Sequence, residues 1–208
     1  NINEKKNKIR QRLWKIRAKK VIIATGSIER PLIFNNNDRP GIMLSSSIKK
    51  FIDFYGVKTG KKISIFTNND SAYETVISLH KSGIEIGKII DIREKCSSSL
   101  INQVEKLGIK ILWKHTVVQT SGYKRIKSIE IMKLSENGET VIGNKIKEKC
   151  DCLGISGGWT PMVHLFTQSG GKLKFRKDDN VFVPDLDKTP SNQISVGSCN
   201  GDFELEDV

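Results

Sequence analysis

Cysteine is scarce in this chain: four in 208 residues, at positions 96, 150, 152 and 199, with no C-x-x-C pair. Without that pair there is neither a dithiol redox motif nor an ordinary zinc clip. Cys150 and Cys152 stand two apart in an expected strand, so both are expected on one face, as small buried apolar residues of a reducing compartment. No apolar run reaches the roughly 20 residues of a membrane-crossing helix, and there is no initiator Met and no secretory signal. These absences leave the membrane reading without support and make the cytoplasm the expected location. The Lys-rich start, and an end at Glu206-Asp207-Val208 just after a motif opens, read as a fragment of a longer polypeptide.

Also missing is any concentration of charge on one element. Lys and Arg number 35 against 23 Asp and Glu, a net charge of +12, but the lysines are spread through every kind of segment. Nucleic-acid recognition needs a continuous basic footprint, and no aromatic-basic interleaving accompanies these lysines, so no nucleic-acid partner is expected.

What is present begins at Ile63-Ser64-Ile65-Phe66-Thr67, a β-branched apolar run. It is followed by a polar turn, Asn68-Asn69-Asp70, and then by Ala72, Val76 and Leu79 at helical spacing. Gly83 stands where a left-handed cap is wanted, and the apolar run 86–92 carries Asp91 near its end. Strand, helix and strand in this order form a Rossmann-like unit. A dinucleotide site also needs glycines in the first turn and an acid about 20 residues on. Those glycine positions hold Thr67, Asn69 and Ala72, and Asp70 adds negative charge where a phosphate would lie. The fold is expected here; nucleotide binding is doubtful.

Upstream, Ile9 to Lys15 alternates apolar and charged residues and could form one hairpin arm. Val21-Ile22-Ile23-Ala24-Thr25-Gly26 reads as a buried parallel strand whose small exit residues, Thr25 and Gly26, are candidates to face a cofactor. Residues 35–40 look like a linker, and Ser45 to Ser47 offer an N-cap to a helix with Ile48, Phe51, Ile52 and Tyr55 on one side. Downstream of Glu94, serines 97–99 cap a short helix and residues 109–112 resume as a strand. From His115 the period changes to two, with turns at Ser121-Gly122 and Asn137-Gly138, which is an antiparallel meander.

The strand Cys152 to Ser156 is followed by Gly157-Gly158-Trp159-Thr160-Pro161, where Pro161 could start a helix. No nucleophile or orienting acid accompanies His164, which is expected to be a packed structural residue. Near the end, the strand 194–197 leads into Ser198-Cys199-Asn200-Gly201-Asp202-Phe203-Glu204-Leu205. Small residues there would let the loop lie against a diphosphate, with a helix starting near Asp202 and with Phe203 and Leu205 as walls.

Several motifs taken together resemble the alpha subunit of heterotetrameric sarcosine oxidase. They are Ala24-Thr25-Gly26 with Glu29-Arg30-Pro31, Asp38 to Met43, and Asn69 to Tyr73. The most specific is the block Ser156-Gly157-Gly158-Trp159-Thr160-Pro161 with Val163 to Phe166 and Gln168 to Leu173. The similarity runs from about Arg12 through nearly the whole chain. It implies a two-dinucleotide-domain flavoprotein reductase fold, α/β with a parallel sheet and a β-meander. The implied layout places residues 1–43 and 154–208 in a first, incomplete dinucleotide-binding domain and residues 44–153 in an inserted second one.

The family implies NAD held in this subunit, FAD and FMN chiefly with the beta subunit, tetrahydrofolate in a C-terminal half of alpha, and gamma and delta subunits completing the complex. By family position Gly197, Ser198, Asn200, Gly201, Phe203 and Leu205, with Thr25 and Gly26, are the cofactor-binding residues. None is catalytic. Related amine or amino-acid oxidase subunits, of the hydrogen cyanide synthase or dye-linked proline dehydrogenase type, are the alternative, as is an interaction domain that kept the fold and lost its ligand.

Overall fold

A computed structural model describes residues 11–203. Packing divides the chain into two units: Ile28–Thr160, and the two chain ends up to Ser27 and from Pro161. In chain order the elements open with short strands β1 (Val21–Ile23), β2 (Ser27–Glu29) and β3 (Ile42–Leu44), then helix α1 (Ser45–Asp53). Strand β4 (Lys62–Thr67), helix α2 (Ser71–Lys81) and strand β5 (Glu85–Asp91) follow, then helix α3 (Ser99–Lys106) and strand β6 (Ile111–Trp113). The meander is β7 (His115–Ser121), β8 (Ser128–Leu134) and β9 (Val141–Lys149). Strands β10 (Cys152–Ser156) and β11 (Trp159–Pro161), helix α4 (His164–Gln168), and strands β12 (Leu173–Arg176), β13 (Val181–Pro184) and β14 (Gln193–Ser195) complete it.

The larger unit is built on a five-stranded parallel sheet in the order β3-β10-β4-β5-β6, beside the antiparallel sheet β7-β8-β9. β4 and β10 lie inside the sheet and are almost wholly apolar or buried, as central parallel strands must be. One core cluster fills the helix side, where Ile48, Tyr73, Val76, Leu79, Ile101 and Val104 meet Ile63 and Ile65. A second, with Phe66, Ile90, Ile129 and Leu153, fills the meander side. Gly83 takes φ +63° just past α2, and Ser98 Oγ accepts from Ile101 N to cap α3.

Several expectations are corrected here. Residues 11–15 form no strand, while 9 and 10 lie outside the described residues. The stretch 35–40 is not a linker: Asn35 bridges Gln119, Thr120 Oγ1 donates to Asn36 O, and Ile126 N donates to Pro40 O, so it is laced to the meander. Cys150 and Cys152 do not share a face. Cys150 precedes β10 and joins the meander-side core, whereas Cys152 joins the helix-side core.

Serines 45–47 do not cap α1 through their own side chains. Instead the buried carboxylate of Glu29 accepts from both the N–H and the hydroxyl of Ser46, at 2.9 and 2.6 Å, and supplies the acceptor the helix start lacks. Phe51 and Tyr55 turn outward, and the buried stripe is Ser45, Ile48 and Ile52. Pro161 lies in β11 rather than opening a helix, and His164 is exposed at the start of α4 rather than packed.

The units divide at 27/28 and 160/161 rather than at 43/44 and 153/154. The reason is that β10 pairs with β3 on one side and with β4 on the other, which ties both strands into the large sheet.

In the unit made of the chain ends, β1 and β14 pair in parallel, Val21 to Gln193 and Ile23 to Ser195, and β12 pairs with β13. Ile23, Phe166 and Cys199 form its small core, with Leu173 packed on it. Of the expected buried strand at β1 only Ile23 is covered; Val21 and Ile22 are 47% and 68% exposed.

Candidate functional site

Two strand exits could each hold a dinucleotide, and they are built differently. In the end unit, β1 and β14 run side by side, so both chains leave the ladder at the same edge. Val196 N donates to Ile23 O and extends the pairing to the turn. Gly26 follows one strand with φ +74° and Gly197 the other with φ +68°. Only glycine adopts this region at little cost, and it leaves the backbone bare for close approach. A side chain at Gly197 would meet open space, and one at Gly26 would meet only Ser198 Oγ, at 3.9 Å. The structure thus brings Gly26, Gly197 and Ser198 together.

Beyond Gly197 the chain makes a single 3₁₀ turn, Gly197–Cys199, whose first N–H groups have no acceptor within the turn. The loop is pinned from beneath. The buried Cys199 thiol donates to Ile23 O and Val196 O, both at 3.1 Å, tying the turn to the end of β1. Arg176, from β12, donates to Gly201 O at 2.6 Å and lies 5.8 Å over the Phe203 ring. Gly201 is buried, and a Cβ there would come 2.7 Å from Val183 and 3.0 Å from the Arg176 guanidinium. Its small size admits the arginine.

Thr25 is exposed and its hydroxyl donates to Met162 O at 2.7 Å, while Asn200 donates to the Asp202 carboxylate at 3.0 Å. Phe203 is 37% exposed. Leu205 and Glu204 lie outside the described residues, and Asp202 and Phe203 are not helical. On β14 the buried Ser195 Oγ and Gln193 Nε2 have no hydrogen-bond partner among the described residues. The bracing residues Cys199 and Arg176 were not recognisable from the sequence. Cys199 resembles any small buried residue, and Arg176 reaches the loop from 25 positions away.

The other exit, at the end of β4, is filled by the chain itself. Thr67 Oγ1 accepts from Asn69 N at 3.0 Å, and Asn69 Oδ1 accepts from the N–H and hydroxyl of Ser71 at the start of α2. Asn69 Nδ2 donates to Ser156 Oγ at 2.9 Å, and Trp159 Nε1 donates to Ser71 Oγ at 3.0 Å. Asp91, the acid that a nucleotide fold would offer to a ribose, is 0% exposed. It accepts from Tyr73 Oη at 2.8 Å and from Arg93 Nη2 at 2.8 Å, and Arg93 also pairs with Asp70 at 2.8 Å.

Burial opposes the charge on Arg93, but the Asp91 and Asp70 carboxylates outweigh it and raise its pKa further. Burial, reinforced by Asp91, pushes the Tyr73 phenol well above its ordinary value. The sequence signal for this network was present in Asp91-Ile92-Arg93, a strand-end acid followed at once by a cation.

Gly157 and Gly158 belong to this second region and serve packing. A Cβ at Gly157 would lie 2.9 Å from Pro31 O, and one at Gly158 2.9 Å from Arg30 Nη2. Backbone bonds run from Arg30 N to Gly158 O and from Gly157 N to Arg30 O. The two glycines therefore seat the Glu29-Arg30-Pro31 segment, whose Glu29 caps α1. Among the described residues no group of His, Cys, Asp and Glu is arranged to hold a metal ion, and no helix is long and apolar enough to cross a membrane.

No family model matches the chain. Over 197 residues, 94% of the chain, it is 36% identical to the sarcosine oxidase subunit alpha of Corynebacterium sp. (strain P-1), of which it covers 20%. It spans about a fifth of the length of the curated relatives it matches. The structure is similar to the thioredoxin reductase of T. acidophilum, with TM-score 0.68 and 19% identity over 89% of this chain and 59% of that one. It is also similar to the L-proline dehydrogenase of P. horikoshii, with TM-score 0.61 and 23% identity over 88% of this chain and 30% of that one. At these identities the likeness establishes the fold, that of FAD/NAD-linked oxidoreductases. The resemblance carried by the Gly157 to Leu173 block holds, and it extends over nearly the whole chain.

Proposed function

We propose that this chain, similar over nearly all its length to a segment of the sarcosine oxidase alpha subunit, is the dinucleotide-binding and scaffold region of such a subunit. NAD sits at the joined exits of β1 and β14. The observation that carries this is the pair of left-handed glycines, Gly26 and Gly197, at the same end of two adjacent parallel strands. A pyrophosphate needs bare backbone and N–H donors at such an edge. The residues fit that demand: Gly197 faces open space, the 3₁₀ turn offers its first N–H groups, and Ser198 stands beside Gly26.

Bound NAD supplies a hydride acceptor. The chain's own residues bind it, orient it and, through Phe203, wall it from water; none is assigned a catalytic role. The β4 exit serves as scaffold, its polar groups already engaged.

The complex oxidatively demethylates sarcosine to glycine in the cytoplasm, with tetrahydrofolate as one-carbon acceptor and hydrogen peroxide as product. Beta, gamma and delta chains complete it, with FAD and FMN chiefly on the beta chain. The test is to denature the purified full-length complex and identify the nucleotides released by chromatography. NAD in proportion to the alpha chain is the expected result. FAD in that proportion, with no NAD, would favour a proline dehydrogenase or hydrogen cyanide synthase type of subunit; no nucleotide assignable to alpha would favour an interaction domain.

A further inference from the structure

At the edge of the large sheet opposite the β4 exit lies a cleft of about 390 Å³, between the start of β4 and the inner ends of β8 and β9. Lys61, Lys62, Arg125, Lys127 and Lys149 ring it, and Ile126 and Cys150 form an apolar floor. Ligands of parallel α/β sheets collect at the carboxyl ends of the strands, so this is not the nucleotide edge.

The single acid in the wall, Asp151, is already engaged. Its carboxylate accepts from the N–H groups of Lys61 and Lys62 at 2.9 Å. Burial pushes that carboxyl up, yet those donors outweigh it and hold it below the usual carboxylate range. Lys62 pairs with Glu85 and Glu148 at 3.3 and 3.1 Å, and Arg125 donates to Asp151 O at 2.9 Å. Lys61, Lys127 and Lys149 are exposed and pair with no carboxylate among the described residues.

We infer that this cleft is a docking site for an acidic segment of a partner polypeptide, with carboxylates reaching Lys61, Lys127 and Lys149 and a small apolar side chain resting on Ile126 and Cys150. Complementarity of charge selects the occupant. A second copy of a chain with net charge +12 would bring cations to cations. A nucleic acid would want a longer basic track with stacking surfaces and no apolar floor. The inference rests on the multi-chain part of the function proposed above, not on its cofactor.

The test uses the purified complex with its full set of chains. A carbodiimide, which joins amines to carboxylates in contact, is applied, and the linked peptides are read by mass spectrometry. Links from Lys61, Lys127 or Lys149 to Asp or Glu of another chain are expected. The triple variant Lys61→Glu, Lys127→Glu, Lys149→Glu is expected to lose them and to weaken subunit retention on the order of tenfold, more at low salt than at high. A triple Lys→Gln variant should fall between.

Because all three side chains are exposed, circular dichroism and melting should stay as in the parent. If no such links form, or if charge reversal leaves subunit retention unchanged in a folded variant, the inference fails. It also fails if the reversal instead abolishes binding of duplex DNA or of phosphatidylserine vesicles while leaving the complex intact. NAD release measured on the same preparation separates failure of the docking site from failure of the cofactor assignment.

Discussion

Both strand exits end a parallel ladder, and they differ in what fills them. At Gly26 and Gly197 the backbone turns left-handed and bare, braced from below by Cys199 and Arg176 and with little beside it. At Thr67 the turn is closed by Asn69, Ser71 and Trp159, and the acid at the next strand end is covered by Tyr73 and Arg93. The lesson is that a strand–turn–helix does not make a nucleotide site. The site needs backbone donors left without internal partners, and the second turn has supplied its own.

Breaking the internal ion pair should have the largest effect. Arg93→Ala leaves Asp91 buried beside Tyr73 without its cation, a loss expected at about 3 kcal/mol. Urea unfolding should show it as a lower midpoint, and NAD content per folded complex should not change.

A matched pair of glycine variants sharpens the contrast. Gly197 and Gly83 both have positive φ with nothing within 4 Å of an added Cβ, but only Gly197 is at the proposed cofactor edge. Valine at either position should cost roughly 1–2 kcal/mol of backbone strain. Only Gly197→Val should empty the site, which chromatography of released NAD would read as a fall on the order of tenfold; equal NAD content in both variants would remove the proposed loop.

Trp159→Phe deletes the indole donor to Ser71 at the filled turn. About 1 kcal/mol of stability should go, measured by the shift in urea midpoint, again with NAD unchanged.

The smallest effect is at the far edge of the same sheet. The Asp151 carboxyl is held below its ordinary value in the folded chain, so it binds a proton less readily folded than unfolded. Its stabilising contribution is complete above the unfolded value of about 3.9 and disappears as pH falls through the folded one. Asp151→Asn should flatten that acid limb in a series of unfolding curves between about pH 5 and pH 2, and should leave the neutral-pH slope alone.

The strands and helices of the large unit were legible because their apolar residues repeat with the period of the element. β4, α2, β10 and the meander followed directly from spacing, and Gly83 and Ser98 marked ends by local stereochemistry. Local spacing singled out the glycines at 26 and 197 only as strand exits; it was the family resemblance that assigned both to one cofactor cleft, and the β1–β14 pairing sets them at the same end. Misreadings fell where a distant segment decided. Residues 35–40 are polar and turn-rich like a linker, yet the meander takes up their backbone groups. Ser45 to Ser47 carry the composition of a cap, yet Glu29 does the capping.

The chain's own order of residues determined the element types, the degenerate state of the Thr67 to Ala72 turn, and the family resemblance, since each is written in local period or local motif. Only the folded arrangement decided that β1 and β14, over 170 positions apart (Ile23 to Ser195), leave the same ladder side by side. It alone decided, too, that Arg93 closes one exit and that lysines from two strands, and from the segments leading into β4 and β8, surround one cleft. Such pairings depend on hydrogen bonds and charges meeting across space, and a one-dimensional pattern carries no distance between residues that far apart.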